Sequence, residues 1–140
     1  MGEENRKQEL IIRIKELTES GRLQWLRLRR FCLSNPDNIF LKEWMLSKNR
    51  EYSNFAEAKL NDGMSFCAQF EVGTIILAVY KNEDGSESYA IELQSTEDSQ
   101  VFEIIHTREF QAELMLVAIQ IERSIGNPDD LLESILATRG

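Results

Sequence analysis

The sequence predicts an α+β fold: a four- to five-stranded antiparallel meander sheet with N-terminal and C-terminal helices packed on one face. Two observations predict it. Four short apolar-rich runs lie between residues 64 and 105, and turn residues separate them, as expected for a meander of strands. Amphipathic helical patterns flank these runs on both sides. We expect a single domain over residues 1–140, divided into an amphipathic helix (1–21), an irregular and helical connection (22–60), the antiparallel sheet (61–106) and two C-terminal helices (107–137).

The first helix is predicted from the spacing of its apolar residues. Leu10, Ile14 and Leu17 recur on one helical face, and Ile11 lies beside them. Gly21 follows at the point where a residue in the left-handed conformation commonly ends a helix. We therefore expect the apolar face of this helix to pack on the sheet.

The connection that follows contains one ambiguous segment and one clearer segment. Residues 22–30 fit either an extended chain or a continued helix, and the pattern does not decide between them. Residues 35–37 offer a cap residue, a first-turn proline and an acid against the helix dipole, which predicts a short helix through residues 40–45. An edge strand near Phe55 is the last element expected here.

The four predicted strands are the runs at residues 64–71, 74–80, 88–94 and 101–105. The second run is apolar on both faces, so we expect it to be the most enclosed strand. The first and third runs alternate between an apolar and a polar face, with Cys67 and Glu92 on the polar ones, which is typical of a sheet covered on one side. Asp84 and Gly85 favour a tight hairpin turn between the second and third strands.

The long C-terminal helix is predicted to begin after Thr107, as its N-cap, and to end at Gly126. Its main apolar stripe should pack on the sheet and consists of Phe110, Leu114, Val117, Ala118, Ile121 and Ile125. A cap residue, a proline and two acids at 127–130 then predict a second helix with the apolar residues Leu131, Leu132, Ile135 and Leu136.

A second apolar stripe runs along the long C-terminal helix, roughly opposite the first, and consists of Ala112, Met115, Leu116 and Ile119. Two stripes indicate that the helix is covered on two sides. Either another helix of this chain folds over the second stripe, which is the preferred interpretation, or a second subunit covers it. In the second case, Met115 and Ile119 lie at the centre of a dimer interface.

The formal net charge of −8 is unevenly distributed along the chain. Residues 1–30 hold eight Lys or Arg and five Asp or Glu, whereas residues 56–140 hold five basic and sixteen acidic residues. The acidic part repels a phosphate backbone, so nucleic-acid binding is disfavoured. The acidic excess either keeps the protein soluble, which we prefer, or steers a basic partner towards it.

Several classes of protein are disfavoured by what the sequence lacks. No apolar run reaches the roughly 20 residues that span a bilayer, and the first residues lack the apolar core of a secretory signal. Cys32 and Cys67 are too few and too far apart for a disulfide framework or a zinc site. We therefore expect a cytoplasmic protein with two free thiols and no membrane partner.

The sequence contains no recognised catalytic motif, and we predict no catalytic, cofactor-binding or metal-binding residues. Phosphate-binding glycine loops, nucleophile elbows and zinc-protease motifs are missing, and a single histidine excludes a histidine metal cluster. One alternative is a cysteine-type enzyme in which Cys67 pairs with His106, oriented by Glu92 or Glu103. Nothing in the local sequence favours a thiolate, so structural roles for Cys67 and His106 are preferred.

The basic, aromatic segment around Trp25, Arg27, Arg29 and Arg30 is the best candidate for partner contact in the N-terminal half. Its arginines suit phosphate or an acidic protein surface. A nucleic-acid binder acting through residues 22–30 would need them in one exposed stripe. The preferred interpretation is structural: the arginines neutralise the acidic domain while Trp25 enters the core.

The function that the sequence favours is a small, cytoplasmic, non-catalytic module for protein–protein interaction. Its candidate contacts are Trp25, Arg27, Arg29, Arg30, Met115 and Ile119. The partner is another protein or, in a homodimer, a second copy. An antitoxin or immunity role would suit a small acidic protein that faces a basic partner. A fold of this class carries no chemistry of its own, so the partner's identity is not predicted.

Overall fold

The computed structural model describes residues 2–49, 58–125, 132 and 135–138. Residues 2–49 and 58–125 form four helices and six strands in the order α1 (Gly2–Glu19), β1 (Trp25–Arg27), α2 (Leu28–Ser34), α3 (Ile39–Lys48), β2 (Ala58–Leu60), β3 (Phe66–Phe70), β4 (Gly73–Asn82), β5 (Glu87–Gln94), β6 (Val101–Ile105) and α4 (Gln111–Ile125). The strands form one antiparallel sheet in the spatial order β1-β3-β4-β5-β6, and β2 pairs with the end of β4 that lies beyond β3. The predicted α+β meander with helices at both ends is confirmed.

Helices α1 and α4 pack on one face of the sheet, as predicted. Ile11 and Ile14 of α1 and Leu114, Val117 and Ile121 of α4 are buried there, because their helical spacing places them on the sides that face the strands. The strand residues beneath them are Phe66, Ala68, Ile75, Leu77, Ile91 and Ile105.

The end of α1 also follows the sequence pattern. Gly21 has a φ of 75°, a left-handed conformation that glycine adopts without steric cost. The backbone N–H of Gly21 donates to the Thr18 carbonyl at 3.2 Å, and that of Arg22 donates to the Leu17 carbonyl at 2.9 Å. This pair of bonds is the Schellman motif, and it turns the chain back so that β1 can join the sheet.

Strand β4 is the most enclosed strand, as its apolar run predicts. Every residue from 74 to 80 is buried, because β2 and β3 pair with one edge of β4 and β5 pairs with the other. The β4–β5 hairpin contains Gly85 with a φ of 89°, and the Asp84 carboxylate accepts a bond from the Ser86 N–H at 2.9 Å. The turn predicted at these residues is therefore confirmed.

The prediction that the sheet is covered on one side is wrong. Helices α2 and α3 cover the second face, where Leu28, Phe31, Leu41 and Met45 pack on strand residues that include Cys67, Ile76, Ala78, Tyr80 and Ala90. Cys67 and Glu92 are consequently buried. Alternation in sequence does not distinguish a solvent-facing polar residue from one beneath a helix, which explains the error.

The described part of the connection, residues 22–49 and 58–60, contains more regular structure than predicted, since it holds β1, α2, α3 and β2. The ambiguous segment is both strand and helix, because β1 passes directly into α2. The short helix predicted to begin at residues 35–37 begins later: the side chain of Asn38 caps α3 by accepting a bond from the Leu41 N–H at 3.2 Å. The edge strand expected near Phe55 lies outside the described residues.

The long C-terminal helix also begins later than predicted, because Thr107 is not its N-cap. Residues 107–110 form turns instead, and Phe110 has a φ of 51°, which interrupts a right-handed helix. The Glu109 carboxylate accepts a bond from the His106 N–H at 3.0 Å within this turn. Gly126 and most of the predicted second helix lie outside the described residues; Leu132, Ile135 and Leu136 are described as helical and exposed.

Candidate functional site

The outer side of α4 carries the second apolar stripe, and it is exposed to solvent. Met115, Leu116 and Ile119 are 43%, 54% and 40% exposed. This exposure follows from the helical period, because Leu114, Val117 and Ile121 already occupy the side that faces the sheet. We call the exposed stripe, with Ala112, the α4 surface.

A small hollow of about 140 Å³ adjoins the α4 surface. It lies between α4 and the strands, and its lining is mostly apolar: Met64, Phe66, Val79, Tyr89, Met115, Ala118 and Ile119, with Glu87 and Glu122. Met64 is itself a half-exposed apolar residue, so the apolar area continues from the helix onto the start of β3. The sequence stripe revealed the helical part of this surface but not the part contributed by the strands, which depends on tertiary packing.

Two cations accompany the acids of the hollow. The Arg27 guanidinium forms an ion pair with Glu122 and lies over the Phe66 ring, 5.4 Å from its centroid. Lys81 is the cross-strand partner of Glu87 in the β4–β5 register. Of the two acids that line the hollow, Glu122 is therefore paired with a cation.

The basic segment is mainly engaged inside the molecule. Trp25 is buried, and its indole N–H donates to the Thr18 hydroxyl at 2.9 Å. Arg27 contacts Glu122 of α4, whereas Arg29 binds Asp62 with distances of 3.0–3.2 Å in the turn before β3. Arg30 is exposed. Arg27 and Arg29 thus bind acids in two different parts of the molecule, so the three arginines do not form one free exposed stripe.

Cys67 and His106 are not brought together. Cys67 is fully buried on β3, where burial raises the pKa of its thiol well above the ordinary value. His106 follows β6, is exposed and contacts the Glu103 carboxylate. Strands β3 and β6 are three strand spacings apart, roughly 14 Å, which exceeds hydrogen-bond reach. The geometry required for a cysteine–histidine dyad is absent.

A buried carboxylate, which the sequence pattern assigned to a solvent-facing side, lies beneath α3. Glu92 of β5 accepts bonds from the Trp44 indole N–H at 3.1 Å and from the Tyr80 hydroxyl at 2.8 Å. Burial raises its pKa from 4.5 to about 7, and the nearby Glu103 carboxylate adds to the increase. The bonds from Tyr80 and Trp44, together with Lys48, oppose it.

A second polar contact holds α3 to the sheet. The side-chain amides of Asn38 and Gln94 each donate to the other's oxygen at 2.8 Å, and the Gln94 amide also donates to the Ser99 carbonyl at 2.9 Å. These paired bonds satisfy buried polar groups, and Asn38 is also the α3 cap. The buried polar groups beneath α3 thus have internal partners and a structural role.

A wider groove of about 910 Å³ lies between α1 and the β5–β6 edge. Leu10, Leu93 and Ile104 contribute apolar lining, while Arg6, Lys7, Arg13 and His106 stand among Glu3, Glu9, Glu16 and Glu103. Lys7 bonds to Glu109 at 2.9 Å just beyond it. Because residues of both charge signs line the groove, its charge favours neither an anionic nor a cationic ligand.

No protein-family model, curated protein or solved structure matches this chain. Among the described residues, no group of His, Cys, Asp and Glu is arranged to hold a metal ion. None of the described helices is both long enough and apolar enough to cross a membrane.

Proposed function

We propose that this protein is a small, cytoplasmic, non-catalytic interaction module that binds another protein chain through the α4 surface. The observation that carries the proposal is the continuous apolar area formed by Met115, Leu116 and Ile119 with the adjoining hollow. Contiguous exposed apolar surface with a polar rim is typical of protein–protein contact sites. Methionine side chains at such a surface adapt their shape to a partner.

The remaining candidate sites support an interaction role over catalysis. Cys67 lies in the core with a raised thiol pKa, which disfavours the nucleophilic thiolate. Glu92 is buried, accepts bonds from Trp44 and Tyr80, and does not line the groove beside α1. Among the described residues, the α4 surface offers a partner exposed apolar area beside a mostly apolar hollow, whereas the groove beside α1 mixes apolar lining with charges of both signs.

The proposal is tested by affinity capture with tagged protein from cells that naturally express it, read by mass spectrometry. Wild-type bait should retain at least one protein, including an untagged copy of this chain, in near-stoichiometric amount. The double variant Met115→Glu and Ile119→Glu should lose that protein, because two carboxylates would have to be desolvated at the contact. Circular dichroism should show that the variant remains folded, since its sheet-facing stripe is unchanged.

A matched control is the double variant Leu33→Glu and Ile39→Glu, which places the same two charges at exposed apolar positions of α2 and α3. This control should retain the captured protein. Recovery of the same proteins by all three baits would refute the α4 surface as the binding site.

A further inference from the structure

We infer that the chain covering the α4 surface is a second copy of this protein, placed so that the two α4 helices run antiparallel across a two-fold axis. The inference rests on the proposed function, since it names the partner of the same surface. A two-fold pair uses one patch twice, so that patch must be complementary to itself. The residues along α4 meet this requirement.

The outer row of α4 consists of Ala112, Leu116, Ile119 and Arg123, spaced at i, i+4, i+7 and i+11, so these residues share one side of the helix. A two-fold axis midway between positions 116 and 119 brings Leu116 opposite the partner's Ile119. The same axis brings Ala112 opposite the partner's Arg123, and the small alanine leaves room for the long arginine stem. Large and small side chains are thus complementary along the row.

Charge selects the antiparallel direction. Glu113 and Arg123 are both exposed and lie near opposite ends of α4, about 15 Å apart along the axis. In an antiparallel pair, Arg123 of one copy faces the partner's Ala112, and its long side chain can extend sideways to the neighbouring Glu113 on the flank of the partner helix. Symmetry produces this ion pair twice. A parallel pair in register would bring Arg123 beside the partner's Arg123 instead, which is repulsive.

The acids beside the hollow do not oppose this arrangement. Glu122 is paired with Arg27 of its own subunit, and Glu87 stands opposite Lys81 on the neighbouring strand. The contact consists of one helix row and the adjoining hollow, so the interface is at the small end of the specific range. We therefore expect a reversible dimer at micromolar protein concentration.

Charge reversal tests the pairing, measured by sedimentation equilibrium across the micromolar range. Glu113→Arg alone opposes two pairs of arginines, and Arg123→Glu alone opposes two pairs of glutamates. Each should weaken dimerisation about tenfold or more, by analogy with close charge pairs at other interfaces. The double reversal restores both ion pairs with exchanged signs and should return the dissociation constant to within about threefold of wild type.

Glu97→Arg, a reversal in the exposed β5–β6 turn, is the matched control and should leave dimerisation unchanged. Both reversals on α4 oppose the helix dipole, so the double variant should be slightly less stable than wild type while dimerising equally well. Measuring both stability and the dissociation constant of the double variant therefore distinguishes an effect on folding from an effect on dimerisation. Restored dimerisation in the double variant supports the two-fold antiparallel pair.

Three results would overturn the inference. A wild-type monomer throughout the concentration range excludes the second copy, and the interaction proposal then stands only if capture of a different protein depends on Met115 and Ile119. A double reversal that dimerises as weakly as the single ones excludes the antiparallel pairing. A misfolded Met115→Glu, Ile119→Glu variant shows that the stripe is covered within its own chain.

Discussion

Glu92 is buried beneath α3, and its protonation should couple stability to pH. The folded state holds its proton up to about pH 7, whereas an ordinary glutamate releases it near 4.5. Between these values the folded protein binds more protons than the unfolded chain, so stability falls as pH rises. This loss of stability has not begun below about pH 4.5 and is complete above about pH 7. The shift corresponds to about 3 kcal/mol.

Glu92→Gln isolates this effect, because glutamine keeps a carbonyl acceptor but does not titrate. We expect the unfolding free energy of the wild type to fall relative to that of the variant by about 3 kcal/mol between pH 4.5 and pH 8. Urea denaturation at both pH values measures the difference. Glu97→Gln, in an exposed turn, should follow the wild type. An equal change in unfolding free energy between the two pH values for wild type and Glu92→Gln would contradict the prediction.

Arg29 and Arg30 are adjacent in sequence but differ in their contacts. Both side chains are exposed, but Arg29 binds the largely buried Asp62 with two nitrogens. Arg29→Gln should cost about 1 kcal/mol, because it leaves the Asp62 carboxylate without its charged partner. Arg30→Gln should change stability by less than about 0.5 kcal/mol. Urea denaturation compares them, and equal losses would show that the Arg29–Asp62 pair contributes nothing specific.

At the scale of elements, the periodicity of apolar residues predicted which sides of an element are buried wherever the element's own sequence determines those sides. The i, i+3, i+4 spacing in α1 and the apolar run of β4 specify their buried sides without reference to neighbours. The start of α4 was missed because Phe110 adopts a left-handed conformation that its residue type does not favour. The hollow beside α4 was missed because Met64 and Tyr89 meet Met115 only after folding.

The sheet-facing side of α4 gives a direct test of the element assignment. Val117 and Ile121 are buried between the helix and the strands. Truncating either to alanine should lower the free energy of unfolding by about 2–4 kcal/mol, through lost burial and a residual cavity. Leu33→Ala, at a position that is 78% exposed, is the control and should cost less than about 0.5 kcal/mol. Chemical denaturation with losses at control level for both core variants would refute the packing of this side.

At the scale of the whole molecule, one sheet separates two apolar cores. Alternate residues of β4 enter different cores: Ile75 and Leu77 face α1 and α4, whereas Ile76 and Ala78 face α2 and α3. Neither helical layer can bury its apolar side without these shared strands. Loss of one layer therefore exposes a face of the strands that support the other, which favours cooperative unfolding of both.

The two tryptophans report separately on the two layers, because Trp25 lies in the α1–α4 core and Trp44 packs on the α2–α3 side. Trp25→Phe leaves Trp44 as the only tryptophan, and Trp44→Phe leaves Trp25. Each variant loses one indole hydrogen bond and should be less stable than wild type. Within each variant, however, the urea midpoints from fluorescence and far-ultraviolet circular dichroism should coincide, as expected for two-state unfolding. A Trp44 transition at lower urea than the circular dichroism change would show that α2 and α3 detach first.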